Sequence, residues 1–91
     1  VPDVAKRFAE NLAYYREQSG LSQEALASRA EIHRTQIGEL LRGKQLPRLD
    51  TFVKLAGALD VPPTDLLEGI SWEPAVQTGQ FRLSAPSKRQ E

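Results

Sequence analysis

The chain has 91 residues, 12 basic and 12 acidic, with no cysteine and a single histidine, His33. That length supports one domain with one core. The missing cysteines exclude a disulfide framework or thiolate metal site, and no catalytic, cofactor or metal constellation stands out.

No uncharged apolar run approaches the roughly 20 residues that cross a bilayer, and the opening VPDVAKRFAE lacks the apolar core of a secretory signal. The reading is a cytoplasmic protein with no membrane partner.

Val4, Phe8, Leu12 and Tyr15 recur every three or four residues and predict a first helix to about Ser19, stopped by Gly20. Ser22 is placed to cap a second helix over about Gln23–Ala30, with Leu26, Ala27 and Ala30 inward and Glu24 complementing the dipole of its first turn. A third helix is predicted over about Arg34–Leu41, with Ile37 and Leu40 inward and Gly43 as its stop. RGKQLP is then loop. Leu49, Phe52, Val53, Leu55, Ala56 and Leu59 restore the helical period for a fourth helix that ends before Val61-Pro62-Pro63. The two prolines open a short fifth helix, Thr64 to Glu68. From Ile70 the period alternates, Ile70 and Trp72 then Phe81 and Leu83, which predicts a hairpin or two extended arms. SAPSKRQE has no apolar pattern and is expected to be disordered. The fold class is all-α, five helices with a short C-terminal extended arm or β-hairpin.

Residues 21–41, LSQEALASRAEIHRTQIGELL, pack two short amphipathic helices around a turn of about four residues, the layout by which proteins lay a helix into the DNA major groove. Zero net charge argues against a polyanionic partner, but charge is segregated. Between Arg34 and Arg48 stand Arg34, Arg42, Lys44 and Arg48 against Glu39; residues 49–69 hold Lys54 against Asp50, Asp60, Asp65 and Glu68. A basic face and an acidic end orient a molecule on a duplex.

The pattern LSQEALA…I…IGELLRGKQLPRLDTFVKLAGALDVPPTDLL closely resembles the lambda-repressor/Cro-like helix-turn-helix family, also called the xenobiotic-response-element type, over roughly residues 4 to 68. The resemblance implies a five-helix DNA-binding domain, residues 1–69, and a C-terminal extension, residues 70–91. It implies a sequence-specific transcriptional regulator, a repressor and not an enzyme, binding double-stranded DNA as a homodimer through its third helix. On that reading Arg34, Thr35 and Gln36 meet the duplex near the start of the reader helix, and Glu39, one turn on, shares their face. Arginine can pair bidentately with guanine O6 and N7, and glutamate can accept from cytosine N4. Gln23 is similar to the family residue that meets a phosphate at a helix N-terminus, and Arg42 and Lys44 become phosphate clamps.

Four positions depart from the family pattern. Glu31 replaces the usual turn glycine, at a cost of roughly 1 kcal/mol if left-handed, so a reshaped turn is expected. His33 replaces a serine or threonine cap and is a poor capping residue. Arg16 keeps its place, but its usual acidic partner is Leu41. Glu39 stands where relatives often present a donor, and an acid there repels phosphates.

A short chain has few large apolar groups to spare, so Trp72 and Phe81 must be buried somewhere. They fold back on their own subunit or form a dimerisation arm with Leu66, Leu67, Ile70 and Leu83; pairing across a two-fold axis is the favoured reading. The rival reading is an antitoxin-type module that uses this fold mainly to dock a partner protein.

Overall fold

Capping side chains set the helix starts and left-handed residues set the stops. In the computed structural model, which describes residues 3–85, α1 spans Val4–Ser19 and opens with the Asp3 carboxylate accepting the Lys6 amide at 3.0 Å. α2, Gln23–Ala30, opens with Ser22 Oγ accepting the Ala25 amide at 3.0 Å, the cap expected of that serine. α3 spans Arg34–Leu41 and α4 Leu49–Leu59. Gly20 directly follows α1, and Gly43 follows α3 after the capping residue Arg42; both glycines are at positive φ. Past α2 and α4 the same conformation falls to Glu31, at φ 56°, and Asp60, at φ 59°.

The turn after α2 is therefore not reshaped around Glu31. Its amide donates to Ser28 at 3.2 Å and the Ile32 amide reaches Ala27 at 3.0 Å, so two terminal carbonyls of α2 are satisfied by a left-handed residue that is not glycine. His33 also does more than expected: its Nδ1 accepts the Thr35 amide at 3.1 Å and caps α3. Arg16 finds a backbone partner, Nη1 donating to the Leu21 carbonyl at 2.8 Å, in place of an acid on α3.

The expected fifth α-helix is a 3-10 turn, Pro63–Leu67. Asp65 donates to Pro62 at 2.9 Å and Glu68 to Asp65 at 3.3 Å, three residues back in each case. Prolines at 62 and 63 supply no amide, and five residues are too few for α-helical bonds to accumulate. Four helices and a small sheet make up the described architecture.

Phe8, Leu12, Leu26, Ile37, Leu40, Leu55 and Leu66 are fully buried where α1, α2, α3, α4 and the 3-10 turn meet, with Ala27, Ala30 and Ala56 allowing close helix approach. Each large side chain contributes about 1.5–3 kcal/mol by leaving water. Asn11, also fully buried, donates to the carbonyls of Leu66 at 3.0 Å and Glu68 at 3.1 Å, tying α1 to the 3-10 turn. Tyr15 donates to the Glu68 carboxylate at 2.6 Å beside it.

The alternating segment forms a hairpin. β1, Ile70–Glu73, pairs antiparallel with β2, Gln80–Leu83, placing Ile70 opposite Leu83 and Trp72 opposite Phe81. The Trp72 and Phe81 rings meet edge to face at 5.0 Å. Arg7 of α1 donates to the Ser84 carbonyl at 2.6 Å, and Ser84 donates to Gly69 at 2.7 Å, so the hairpin is held to its own subunit. The expectation of disorder for SAPSKRQE begins at this anchored Ser84, and its remainder from 86 lies outside the described residues. Among the described residues no helix is long and apolar enough to cross a membrane, and no cluster of side chains could hold a metal ion.

Candidate nucleic-acid interface

α3 is seated by Ile37 and Leu40, both fully buried, and by Leu41, which packs against the core. Its far end is drawn close to α1, because Gly43 lies where a Cβ would sit 3.1 Å from Lys6 Cα. That close approach and the positive φ of 72° both call for glycine there. The Lys44 amide then donates to the Glu39 carbonyl at 3.1 Å and fixes the exit of the chain.

With this seating, Arg34 and Thr35 are exposed at the start of α3 and Arg42 and Lys44 at its end, while Gln36 and Glu39 are half-buried on its flanks. Gln23, the first residue of α2, is exposed beside them. Gln23, Glu24, Arg34, Thr35, Gly38 and Arg42 line one open groove of about 330 Å³. The structure therefore brings four of the seven sequence-predicted contacts together, and sets Gln36, Glu39 and Lys44 outside that groove.

Gly38 and Glu24 were not among the sequence-predicted contacts. The signal for Gly38 was the four-residue spacing of Arg34, Gly38 and Arg42, which puts them on one stripe of a helix. Arg34, Arg42 and Lys44 side chains make no hydrogen bond or ion pair among the described residues, whereas Arg7, Arg48 and Arg82 are paired with Glu10, Asp50 and Glu73. The side chains of Lys6 and Lys54 are unpaired as well, so unpaired cations are not confined to α3, but the arginines without a partner among the described residues are Arg34 and Arg42.

The predicted dimerisation set divides. Leu66 is 0% exposed and belongs to the core, so it is not available to a partner. Ile70 and Leu83 are half-buried, and Leu67, Trp72 and Phe81 are exposed. Sequence reasoning missed Leu46, Leu49 and Val53 as surface: the last two were read only as part of the helical period of α4, and they are 75% and 52% exposed. Leu46, Leu49, Leu67 and Phe81 line a second groove of about 380 Å³, walled also by Val4, Phe8, Pro47, Phe52 and Ile70. No residue lines both grooves.

Two short helices around a left-handed turn, the second presenting an unpaired basic stripe, define a helix-turn-helix protein. Residues 12–66 match the family model HTH_3, Helix-turn-helix, and the chain belongs to that family, the Cro/C1 type of DNA-binding transcription regulators. It is 43% identical over 51 residues to control protein C.BamHI of Bacillus amyloliquefaciens, a match covering 56% of this chain and 63% of that protein. It is 40% identical over 65 residues to control protein C.SmaI of Serratia marcescens, covering 71% of this chain and 77% of that one. Its structure is similar to that of the restriction-modification controller protein C.AhdI from Aeromonas hydrophila, with a TM-score of 0.66, 37% identity and coverage of 68% and 94% of the two chains.

Proposed function

We propose that the chain is a sequence-specific transcription regulator of the restriction-modification controller kind, acting as a homodimer that places α3 of each subunit in successive major grooves about 34 Å apart. The observation that carries this reading is the unpaired stripe of Arg34 and Arg42 on an outward helix face, within a fold shared with C.AhdI. The zero net charge of the chain does not oppose it, because the other described arginines are held by carboxylates or backbone carbonyls while Arg34 and Arg42 are not. Regulation is repression by occupancy of promoter DNA.

The partner in the dimer is a second copy docked on the apolar face of Leu46, Leu49, Val53, Leu67, Trp72 and Phe81. This face is continuous. Four of its members line one groove, Val53 stands one turn along α4 from Leu49, and Trp72 meets Phe81 edge to face. Contiguous apolar surface of this kind marks an interaction site on a monomer. Covering it leaves the α2–α3 groove open, since the two share no residue. The hairpin contributes an aromatic rim to this face while staying anchored to its own subunit.

Selection of bound sites from random duplexes tests the reading. A recovered palindrome with two half-sites one helical turn apart is the expected result, and failure to enrich any sequence refutes it. Sedimentation supplies the second measurement, with a concentration-dependent dimer expected and a monomer at all concentrations refuting the dimer.

A further inference from the structure

We infer that Gly38 is a positioning residue for Arg42, and that Arg42 reads a base pair rather than clamping a phosphate. The inference rests on the DNA-binding reading and sharpens it. Arg34, Gly38 and Arg42 form one stripe along α3, and the middle position carries no side chain. A Cβ built at Gly38 would lie 3.1 Å from Arg42 Nη1, 3.8 Å from Cζ and 3.9 Å from Nη2. The guanidinium is thus laid across the helix backbone at the glycine notch. It has turned back about one turn toward the start of α3, the direction in which helical side chains lean, and shares the groove of Arg34 and Thr35.

Gly38 has a helical backbone, so no left-handed turn accounts for a glycine at this place. Glycine inside a helix lowers helix propensity relative to alanine, and what it gains here is room for the guanidinium. Neither Arg34 nor Arg42 spends its side-chain donors within the described chain. The planar fork of arginine fits the O6 and N7 acceptors of guanine. Arginine can grip a phosphate with the same fork, but a phosphate contact carries no sequence information, so lysine in its place leaves base preference unchanged, whereas at a bidentate base contact it does not. A side chain held on the outward stripe of the reader helix faces base edges, while one that leaves the end of the helix faces the backbone of the duplex.

The test selects sites with the wild type, Arg42→Lys, Arg34→Ala and Gly38→Ala proteins, and measures binding to the wild-type site against salt. Arg42→Lys is expected to keep the salt dependence and lose about tenfold or more of the preference at one base pair of the half-site. That pair differs from the one lost in Arg34→Ala. Gly38→Ala is expected to weaken preference at the same pair as Arg42→Lys while raising the thermal midpoint, because alanine favours helix; a merely structural role for Gly38 would not join those two effects. Wild-type preference in Arg42→Lys overturns the base contact. A Gly38→Ala protein whose preference is unchanged, or changed at another pair, overturns the positioning role. A wild type that enriches no sequence defeats the proposed function itself, and this inference with it.

Discussion

Replacing Glu31 with glycine is expected to stabilise the protein. Glu31 holds φ 56° and ψ 48°, and its exposed side chain makes no hydrogen bond or ion pair among the described residues to offset that backbone. An L-residue in the left-handed region costs roughly 1–2 kcal/mol. Glycine removes that cost but gives back about 0.4–1 kcal/mol through the larger freedom of its unfolded chain. The net gain is about 0.5–1 kcal/mol, which in a domain of this size raises the thermal midpoint by roughly 2–8 °C. Thermal unfolding followed by circular dichroism measures it, with Glu31→Ala as control, since alanine removes the charge and keeps the Cβ. Glu31→Ala should stay near the parent. An alanine variant that rises as far as the glycine variant would show that charge and not backbone strain is relieved, and would refute the reasoning. Asp60→Gly, at the matching turn after α4, should gain less, because aspartate tolerates the left-handed region better than glutamate.

Asn11→Ala should cost about 1–3 kcal/mol in urea unfolding, since it strips two buried or partly buried carbonyls of their donor; a smaller loss would mean that water replaces the amide. Leu49→Glu should leave helical content intact, the side chain being mostly exposed, and shift sedimentation toward monomer; an unchanged dimer would remove α4 from the interface. Hydrogen bonds from Gln80, then those from Arg82 and its charge, hold the Glu73 carboxyl below its ordinary value. Folding of the hairpin is therefore favoured above the ordinary carboxylate range, and that contribution is lost as pH falls through the depressed value. Trp72, the only tryptophan, reports this by fluorescence: the acid-side change should vanish in Glu73→Gln, and its persistence would assign it to another group.

The helix starts and stops were legible wherever one residue does one job. Ser22 capped α2 and Gly20 and Gly43 closed their helices, as their chemistry predicts. Glu31 was misjudged because propensity ranks residues by intrinsic cost, and two carbonyls of α2 waiting for donors outweigh that cost. Leu49 and Val53 show a different limit. Helical periodicity reports that a face is apolar, and nothing in the period distinguishes a face turned to the core from one turned to a partner. Leu66 and Leu67 are adjacent and chemically identical, yet the 3-10 turn buries the first and exposes the second. The outward stripe of α3 was half legible: Arg34 and Thr35 carry groups that name a contact, whereas Gly38 acts through the space it leaves, which shows only once Arg42 is seen to fill it.

The neutrality of the chain and its reading as a DNA-binding protein are reconciled by where charges are cancelled. Arg7 is 3.5 Å from Glu10, Arg48 is 3.7 Å from Asp50 and Arg82 is 3.1 Å from Glu73, so three guanidiniums away from the reader face are already neutralised locally. Arg16 and Arg29 donate to backbone carbonyls and are fixed in the scaffold. Arg34, Arg42 and Lys44 have no such partner among the described residues, and neither has the side chain of Lys6, which lies against Gly43 at the end of α3, so the potential around α3 is set by nearby charges and not by the sum over the chain. Near a surface the field of a charge fades within about 8 Å at physiological salt, so the nearest charges weigh most. Two acids stand close to the basic residues, Glu24 in the same groove as Arg34 and Arg42 and the half-buried Glu39 on the flank of α3; both oppose phosphates, and neither pairs with those guanidiniums. On the proposed reading, sequence preference rests on a few directed contacts more than on bulk attraction.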